Sequence, residues 1–171
     1  MKALYIGRFQ PFHNGHLSVL RLLSKEYTEI IIGLGSSQDH DSSENPFSEA
    51  ERIQMIKRSL DADGIHNYRI VPIPDIHDPP HWVDHVRSIV PDFDVVIANN
   101  PFTRSLFVEK GYVVKGTPSF ERTLNAGKEI RRRMLNDEPW ETLVPPSVQK
   151  ILKDAKGVQR LKTIAHRTKK P

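Results

Sequence analysis

Cysteine is absent from this chain of 171 residues, so neither disulfide bonds nor thiolate metal sites are available to it. Long hydrophobic runs are absent too, because no stretch approaches the about 20 consecutive apolar residues that cross a membrane. The chain enters a strand-like apolar run at once, without the pattern of a secretory signal. We therefore expect a soluble, cytoplasmic protein without a membrane partner.

Charge is distributed unevenly along the chain. Residues 1–121 contain 12 Lys and Arg against 16 Asp and Glu, whereas residues 122–171 contain 13 against 5. A basic segment is typical of a nucleic-acid-binding surface or of a solvated helical face beside a phosphate site. Here the basic residues alternate with Leu, Ile and Val at helical spacing, and not with aromatic residues that stack on bases. The pattern favours the solvated face and predicts no nucleic-acid partner.

Short apolar runs bounded by turn residues alternate with segments of 3.6-residue periodicity. The runs lack strict alternation, which is typical of strands in a parallel sheet covered on both faces. In one helical segment, Ser48 and Glu51 form a capping-box signature. The predicted strands are Ala3–Ile6, Ile30–Leu34, Tyr68–Ile73, Val95–Ala98 and Tyr112–Val114, and the predicted helices among them are 14–27, 48–60 and 81–90.

This alternation predicts an α/β fold with a Rossmann-like, doubly wound parallel sheet of about five strands. The ligand site of such a sheet lies at the carboxyl ends of its strands. After residue 120 the strand signals cease, and short helices are expected over 126–136, 145–155 and 156–167. We expect a single domain over 1–171, with an α/β nucleotide-binding core in 1–120 and a helical C-terminal part in 121–171.

The most informative stretch is Gly7-Arg8-Phe9-Gln10-Pro11-Phe12-His13-Asn14-Gly15-His16, between the first predicted strand and the first helix. This position presents a helix N-terminus to an anionic ligand. Gly7 permits close approach of the backbone to a phosphate. His13 and His16 are three residues apart and face the same side of a first helical turn. Two imidazoles, the neighbouring arginine and backbone N–H groups then converge on one triphosphate.

The stretch resembles the H-x-G-H signature of the nucleotidyltransferase superfamily. The later block Ala126–Met134 resembles the superfamily motif in which a small-residue turn opens a helix and an arginine, here Arg131, reaches the triphosphate. More narrowly, the chain is similar over nearly all its length to archaeal-type nicotinamide-nucleotide adenylyltransferases. The segments that carry this similarity are Gly33-Leu34-Gly35-Ser36-Ser37, Asn45-Pro46-Phe47, Pro74-Asp75-Ile76, His81-Trp82-Val83 and Asn99-Asn100-Pro101.

The resemblance implies an enzyme that transfers the adenylyl group of ATP to nicotinamide mononucleotide (NMN), forming NAD and pyrophosphate. The implied reaction is direct in-line attack on the α-phosphate, with Mg²⁺ carried by ATP, in a homo-oligomer that is a hexamer. The implied catalytic residues are His13, His16, Arg8 and Arg131. The implied ATP-binding residues are Gly7, Phe9, Gln10, Gly15, Gly35, Ser36, Asn100, Gly127 and Lys128, and the implied acceptor-binding residues are Asp75, Ile76, Trp82 and Phe120.

Three positions depart from the family pattern. Ala126 and Lys128 stand where the family has Ser and Thr, so that a flexible ammonium replaces a hydroxyl that bonds phosphate. Pro79 stands in place of an Asn of the acceptor loop. These departures bear on the acceptor more than on the superfamily.

A histidine-rich segment suggests a metal site at first sight, through His77, Asp78, His81 and His85. Two prolines break any helix between His77 and His81, and no third ligand stands at a familiar spacing. The sequence therefore predicts no dedicated metal site.

Two alternatives to NMN adenylyl transfer stay open. The first is an H-x-G-H enzyme with another acceptor, such as phosphopantetheine, flavin mononucleotide (FMN) or a polyol phosphate with CTP; Trp82 after an Asp-bearing loop favours nicotinamide. The second is a non-catalytic nucleotide-sensing or nucleic-acid-binding module that uses the basic C-terminal third. No recognition helix or stacking platform in the sequence supports it.

Overall fold

The computed structural model describes residues 1–118 and 126–168, and it divides the chain into two compact units. The first unit comprises Met1–Gly7, Val19–Ser37 and Ile65–Pro118. It contains five parallel strands in the order β3-β2-β1-β4-β5, namely β1 (Lys2–Gly7), β2 (Glu29–Gly35), β3 (Tyr68–Ile73), β4 (Val95–Ile97) and β5 (Val114–Lys115). The prediction of an α/β fold with a doubly wound parallel sheet is confirmed.

Strands β2 and β4 are the most deeply buried strands of the sheet, and both are almost continuously apolar. Every residue from Ile30 to Leu34 of β2 is buried. The helices α3 (Pro79–Ile89) and α4 (Pro101–Glu109) contribute to the same core. The core cluster consists of Leu4, Ile31, Ile73, Val83, Val86, Val90, Val96, Ala98 and Phe107.

Helix α1 (Asn14–Glu26) follows β1, and α2 (Glu49–Ala62) follows β2 along the chain. The capping box predicted at the start of α2 is present. The Glu51 N–H donates to Ser48 Oγ at 3.2 Å, and the Ser48 N–H donates to Glu51 Oε2 at 2.8 Å. Two donors that have no partner within the helix are thereby satisfied.

The second unit comprises Arg8–Ser18, Gln38–Gly64 and, among the described residues, 126–168. Besides α2 it contains a short 3₁₀ helix (Glu141–Leu143) and the helices α5 (Gly127–Leu135), α6 (Pro146–Asp154) and α7 (Gly157–Thr168). Helix α2 packs against α6, and α7 packs against both α5 and α6. The apolar side chains buried in this unit include Phe47, Met55, Ile56, Met134, Val148, Leu152, Leu161 and Ile164.

The structure differs from the sequence prediction at several places: most helix ends shift by one or two residues, the fifth strand lies at Val114–Lys115 where Tyr112–Val114 is predicted, and α4 is an additional helix. Helix α4 was not predicted, although Asn100 accepts hydrogen bonds from the N–H groups of Phe102 and Thr103 at 2.9 and 3.1 Å and Pro101 is its first residue. An Asn N-cap followed by Pro is a helix start signal, but a helix of nine residues has too little periodicity to be predicted from its apolar pattern. Helix α3 begins at Pro79, two residues before the predicted start. Proline is tolerated in the first turn because the N–H groups there have no acceptor within the helix.

None of the helices in the described residues combines the length and the apolar character needed to cross a membrane. The expectation of one domain over 1–171 stays a prediction.

Candidate active site

His13 and His16 form a reciprocal cap at the start of α1. The His13 N–H donates to Nδ1 of His16, and the His16 N–H donates to Nδ1 of His13, both at 3.3 Å. The rings stack with centroids 3.5 Å apart and an interplanar angle of 21°. Because the Leu17 N–H donates to the His13 carbonyl, His13 is the N-cap and His16 the third helical residue. The pair therefore has the hydrogen-bonding pattern of a capping box, with ring nitrogens in place of oxygens.

These two bonds determine which nitrogen of each neutral ring carries the proton. Since Nδ1 accepts an N–H in both rings, the proton resides on Nε2. Each neutral imidazole therefore presents an Nε2–H donor at the end of the ring opposite the cap. Paired N–H donors at a helix N-terminus suit the oxygens of a phosphate chain.

Aromatic side chains surround the imidazole of His16. The Phe9 ring meets it edge-on with centroids 4.7 Å apart, and the Phe12 ring stacks on it at 5.5 Å. Burial lowers the pKa of His13 from 6.5 to about 3, and burial together with His13 lowers the pKa of His16 well below 6.5. Both rings are therefore neutral at pH 7.

Arg131 on α5 reaches the backbone just before the histidine pair. Its Nη1 donates to the Gln10 carbonyl at 2.6 Å and its Nε to the Ser43 carbonyl at 3.0 Å. Burial and the Arg8 cation, against the effect of Glu44, lower the Arg131 pKa to about 10, so the guanidinium stays charged at pH 7. Within the described part of the chain no carboxylate forms an ion pair with Arg131. A phosphate oxygen would be a suitable partner for this buried cation.

Gln10 links the segment before α1 to the start of α2 and to α5. Its buried side chain forms two bonds with the Phe47 backbone, because Nε2 donates to the carbonyl at 2.9 Å and Oε1 accepts the N–H at 3.0 Å. Gly127 is the first residue of α5, where a Cβ would lie 3.0 Å from the Gln10 carbonyl oxygen and 3.1 Å from Arg131 Nη1. A glycine at this position therefore leaves space for the bond between Arg131 and Gln10.

Arg52 also belongs to this site, and the sequence analysis did not identify it. The side chain is inaccessible to solvent, and its Nη1 donates to the Arg8 carbonyl at 2.9 Å and its Nε to the Ser48 carbonyl at 3.3 Å. The Arg8 side chain is half exposed and donates to Asn45 Oδ1 at 3.4 Å. Arg52 lies three residues before the buried Met55 of α2, and an arginine on that apolar face is the signal that identifies it.

Among the residues predicted to bind nucleotide, Gly15 and Lys128 lie in the second unit, and Gly7, Gly35, Ser36 and Asn100 lie in the first. Gly35 and Ser36 stand at the end of β2, and Ser36 has a left-handed φ of 45°. Asn100 follows β4 and uses its Oδ1 as the N-cap of α4. Gly33 has a packing explanation, because a Cβ there would lie 2.8 Å from Ile73 Cδ1.

The predicted acceptor residues are found in the same unit. Asp75 and Ile76 follow β3, and Asp75 Oδ1 accepts the His77 N–H at 2.9 Å. Trp82 on α3 is partly buried and forms a T-shaped contact with Phe107, with ring centroids 5.7 Å apart. The fourth predicted residue, Phe120, lies outside the described residues.

The histidine-rich segment uses its side chains within the protein. His85 Nε2 donates to the Pro74 carbonyl at 2.8 Å, and His81 Nδ1 pairs with Asp78 at 2.8 Å. Within residues 1–118 and 126–168, no group of three or more His, Cys, Asp or Glu side chains is arranged to hold a metal ion.

The chain is similar to known proteins over nearly all of its length. Residues 4–133 match the family described as cytidylyltransferase-like. The chain is 45% identical over 167 residues to a nicotinamide-nucleotide adenylyltransferase of Thermococcus sibiricus, a match that covers 96% of this chain and 90% of the relative. A nicotinamide-nucleotide adenylyltransferase of Methanoculleus marisnigri is 45% identical over 164 residues, covering 96% and 97%. The chain belongs to the nicotinamide-nucleotide adenylyltransferase family.

A solved structure supports the fold of this family member. A bifunctional NMN adenylyltransferase/ADP ribose pyrophosphatase from Francisella tularensis, complexed with AMP and a manganese ion, superposes with a TM-score of 0.78 at 24% identity. The match covers 95% of this chain and 52% of that protein, so the chain spans about half of that protein's length. This likeness concerns the fold; the family model and the relatives at 45% identity confirm the predictions of the family and of a nucleotidyltransferase enzyme.

In this nicotinamide-nucleotide adenylyltransferase family member, α5 begins without the hydroxyl residues that the sequence resemblance leads us to expect. Ala126 is the N-cap and offers no side-chain hydrogen bond. Lys128, the second residue of the helix, is exposed. A cation near a helix N-terminus opposes the helix dipole, so helix stability does not explain a lysine here.

Proposed function

We propose that this protein transfers the adenylyl group of ATP to NMN. We propose further that the triphosphate binds at the N-terminus of α1, where His13 and His16 form the cap. The observation that carries the proposal is the pair of neutral imidazoles whose Nδ1 atoms are both occupied by backbone N–H groups. Their two Nε2–H donors are held at fixed spacing by the stacked rings. The buried guanidinium of Arg131, bonded to Gln10 three residues before His13, adds a positive charge that a polyphosphate neutralises.

The proposed chemistry is a direct displacement at phosphorus. An oxygen of the NMN 5′-phosphate attacks the α-phosphorus of ATP, the bond from that phosphorus to the oxygen bridging the β-phosphate breaks, and pyrophosphate leaves with the electron pair. No covalent enzyme intermediate is needed, and catalysis consists of positioning and charge stabilisation. His13, His16, Arg8 and Arg131 are the proposed catalytic residues. The imidazoles donate hydrogen bonds to phosphate oxygens and do not act as bases.

We assign the neighbouring residues to ATP by the same reasoning. Gly7 and Gly15 leave backbone accessible beside the phosphates, and Phe9 and Gln10 hold the segment that carries the histidines. Gly127 and Lys128 begin the helix that carries Arg131. In the first unit, we propose Gly35, Ser36 and Asn100 as contacts of the nucleoside.

The acceptor residues proposed are Asp75, Ile76 and Trp82 of the first unit. Trp82 is partly exposed and packs against Phe107 in a T-shaped contact, so part of the indole is held by the protein and part is open to a ligand. A cationic pyridinium ring suits an aromatic face and a nearby carboxylate. These two features support NMN over an acceptor that has no cationic ring.

Mg²⁺ is proposed to arrive bound to ATP, as part of the substrate. Mg²⁺ is held by few carboxylates and by substrate phosphates, so it requires no cage of protein ligands. His13, His16 and Arg131 fit such a role, because they would donate hydrogen bonds to phosphate oxygens, and the remaining phosphate oxygens would bind the metal. The chemistry that Mg²⁺ supplies is neutralisation of the charge that develops on the leaving pyrophosphate.

One assay tests the acceptor. The protein is incubated with Mg²⁺ and ATP, or CTP for a polyol phosphate, together with NMN, phosphopantetheine, FMN or a polyol phosphate, and both pyrophosphate and the adenylylated product are measured. We expect one NAD for each pyrophosphate with NMN, and none from the variant His16→Ala. Pyrophosphate release with another acceptor, but not with NMN, would show that the other compound is the acceptor. No release with any acceptor would contradict catalysis and favour a nucleotide-sensing role.

We also propose a homo-oligomer, a hexamer, in the cytoplasm. Light scattering after size exclusion measures its mass directly. A mass of one chain of 19.6 kDa at working concentrations would contradict the oligomer.

A further inference from the structure

Arg160, on the basic C-terminal helix α7, connects that helix to the start of α2. Its Nη2 donates to both carboxylate oxygens of Glu51, at 2.8 Å to Oε1 and 2.7 Å to Oε2. Its Nε donates to the Pro46 carbonyl at 3.2 Å. One guanidinium therefore holds a side chain of α2 and the backbone before α2 at the same time.

The backbone that Arg160 holds leads directly to the site proposed for the triphosphate. Pro46 precedes Phe47, whose N–H and carbonyl bind both ends of the Gln10 side-chain amide at 3.0 and 2.9 Å. The Gln10 carbonyl in turn accepts Arg131 Nη1 at 2.6 Å. Every member of this series belongs to the second unit. A shift of the Pro46 carbonyl therefore moves Gln10, and with it the guanidinium of Arg131.

Packing at the beginning of α7 fixes the same segment. Gly157 lies so close to Phe47 that a Cβ at this position would be 3.2 Å from the Phe47 ring. Phe47 itself is inaccessible to solvent. The N-terminus of α7 and its Arg160 side chain thus hold Phe47 from the ring and from the preceding carbonyl.

The residue types are suited to this arrangement. Glu51 Oε2 already accepts the Ser48 N–H of the capping box, so Arg160 adds its bonds to a carboxylate whose orientation is fixed. The Glu51 side chain is 18% exposed and that of Arg160 is 36% exposed, so the ion pair is less screened than one on the open surface. A lysine offers one nitrogen and cannot reproduce the separate bonds from Nε and Nη2.

We propose that Arg160 is a positioning residue for ATP binding, acting through Pro46, Phe47 and Gln10 on Arg131. The inference rests on the proposed function, because it takes Arg131 as a ligand of the triphosphate. It also gives the basic C-terminal segment a role inside the enzyme, where its charge alone suggested a surface property.

The test compares steady-state kinetics of wild type, Arg160→Met, Arg160→Lys and Glu51→Gln, with Arg58→Met as the matched control. Arg58 is an exposed arginine of α2, and within residues 1–118 and 126–168 its only side-chain bond is to Gln54, at 3.3 Å. Loss of a partner that orients a metal ligand typically costs about 10-fold or more in affinity, and we take the same magnitude for a contact that orients a phosphate ligand. We expect Arg160→Met to raise KM for ATP about 10-fold, Arg160→Lys to lie between it and wild type, and Arg58→Met to match wild type.

Glu51→Gln isolates the ion pair from the helix cap. Glutamine still accepts the Ser48 N–H as a capping-box residue but does not carry the charge that attracts Arg160. We expect this variant to raise KM for ATP in the same direction, and the double variant with Arg160→Met to be no worse than Arg160→Met alone. Should Arg160→Met fail to fold, Arg160→Lys and Glu51→Gln provide the comparison.

Comparison of KM for ATP with KM for NMN distinguishes a positioning role of Arg160 from a general contribution to stability. All assays are run well below the melting temperature of every variant, and KM for NMN is measured beside KM for ATP. An unchanged KM for ATP in a folded Arg160→Met, or equal increases for both substrates, would overturn the inference. A wild-type protein that forms no NAD would instead overturn the proposed function and leave the contacts of Arg160 as a structural feature.

Discussion

The backbone N–H of His13 donates to the ring of His16, and the backbone N–H of His16 donates to the ring of His13. The two residues therefore serve the helix and the ligand with different nitrogens of the same ring. Nδ1 accepts a backbone N–H at the start of α1, and Nε2–H, at the other end of the ring, is the donor proposed for the ligand. A spacing of three residues is required for this exchange, since only the N-cap and the third helical residue bond reciprocally.

Substitutions at the pair separate capping from phosphate binding. Asn is a good N-cap, so His13→Asn keeps the cap and loses the imidazole, whereas His13→Ala loses both. We expect the free energy of unfolding of His13→Asn to lie within about 0.5 kcal/mol of the wild-type value. That of His13→Ala should be about 1 kcal/mol lower than wild type. We expect both to lose activity by about 100-fold or more, as when a preorganised donor is removed. Urea denaturation and NAD formation measure the two effects.

His16→Gln supplies the matched test at the third helical position. Glutamine bonds the N-cap N–H in a capping box, so the fold should be kept while the Nε2–H donor is lost. Full activity in His16→Gln would contradict the assignment of that ring to the triphosphate.

The lowered pKa values of the two histidines predict a pH dependence of stability. Between pH 6.5 and about 3, the unfolded chain binds a proton at His13 that the folded protein does not. The unfolded state then binds more protons, so stability falls as the pH falls through this window, by at most about 1.4 kcal/mol per pH unit for each ring. We expect His13→Asn to lose less stability than wild type between pH 7 and pH 5 in urea denaturation. Equal losses would show that His13 is not buried in neutral form.

Space at the start of α5 predicts the effect of Gly127→Ala. A methyl group would lie 3.0 Å from the Gln10 carbonyl oxygen and 3.1 Å from Arg131 Nη1, so one of these groups must move. Alanine itself favours the helix over glycine by about 1 kcal/mol, so stability should hold or rise. We expect KM for ATP to rise while the melting temperature does not fall. A crystal structure of the variant would show whether the bond from Arg131 to Gln10 lengthens, and an unchanged bond and KM would contradict the prediction.

The bond from His85 to the Pro74 carbonyl predicts a positioning effect on the acceptor loop. Pro74 immediately precedes Asp75 and Ile76, so removal of the donor frees the backbone that carries both. We expect His85→Ala to raise KM for NMN with little change in KM for ATP, and His85→Gln to restore part of the loss, because its amide N–H also donates to a carbonyl. His66→Ala, at an exposed histidine of the same unit, is the control. A rise in KM for ATP alone would contradict this role.

Local patterns in the sequence predicted much of the site. The apolar runs predicted the parallel strands, Ser48 and Glu51 predicted a cap that is present, and the spacing of His13 and His16 predicted two rings on one helical turn. These features depend on residues within a few positions of one another, which periodicity describes well. The start of α4 was missed because a nine-residue helix offers little periodicity.

The amino-acid sequence by itself determined the α/β sheet, the family and the two histidines that cap α1. Only the tertiary structure decided which partners those residues meet. Arg131 bonds a carbonyl 121 residues away, Arg52 reaches the Arg8 carbonyl 44 residues away, and Arg160 binds Glu51 at a separation of 109. No local pattern encodes such pairs, because each depends on the path of the whole intervening chain and on the burial that makes a carbonyl or carboxylate the best partner left for a cation.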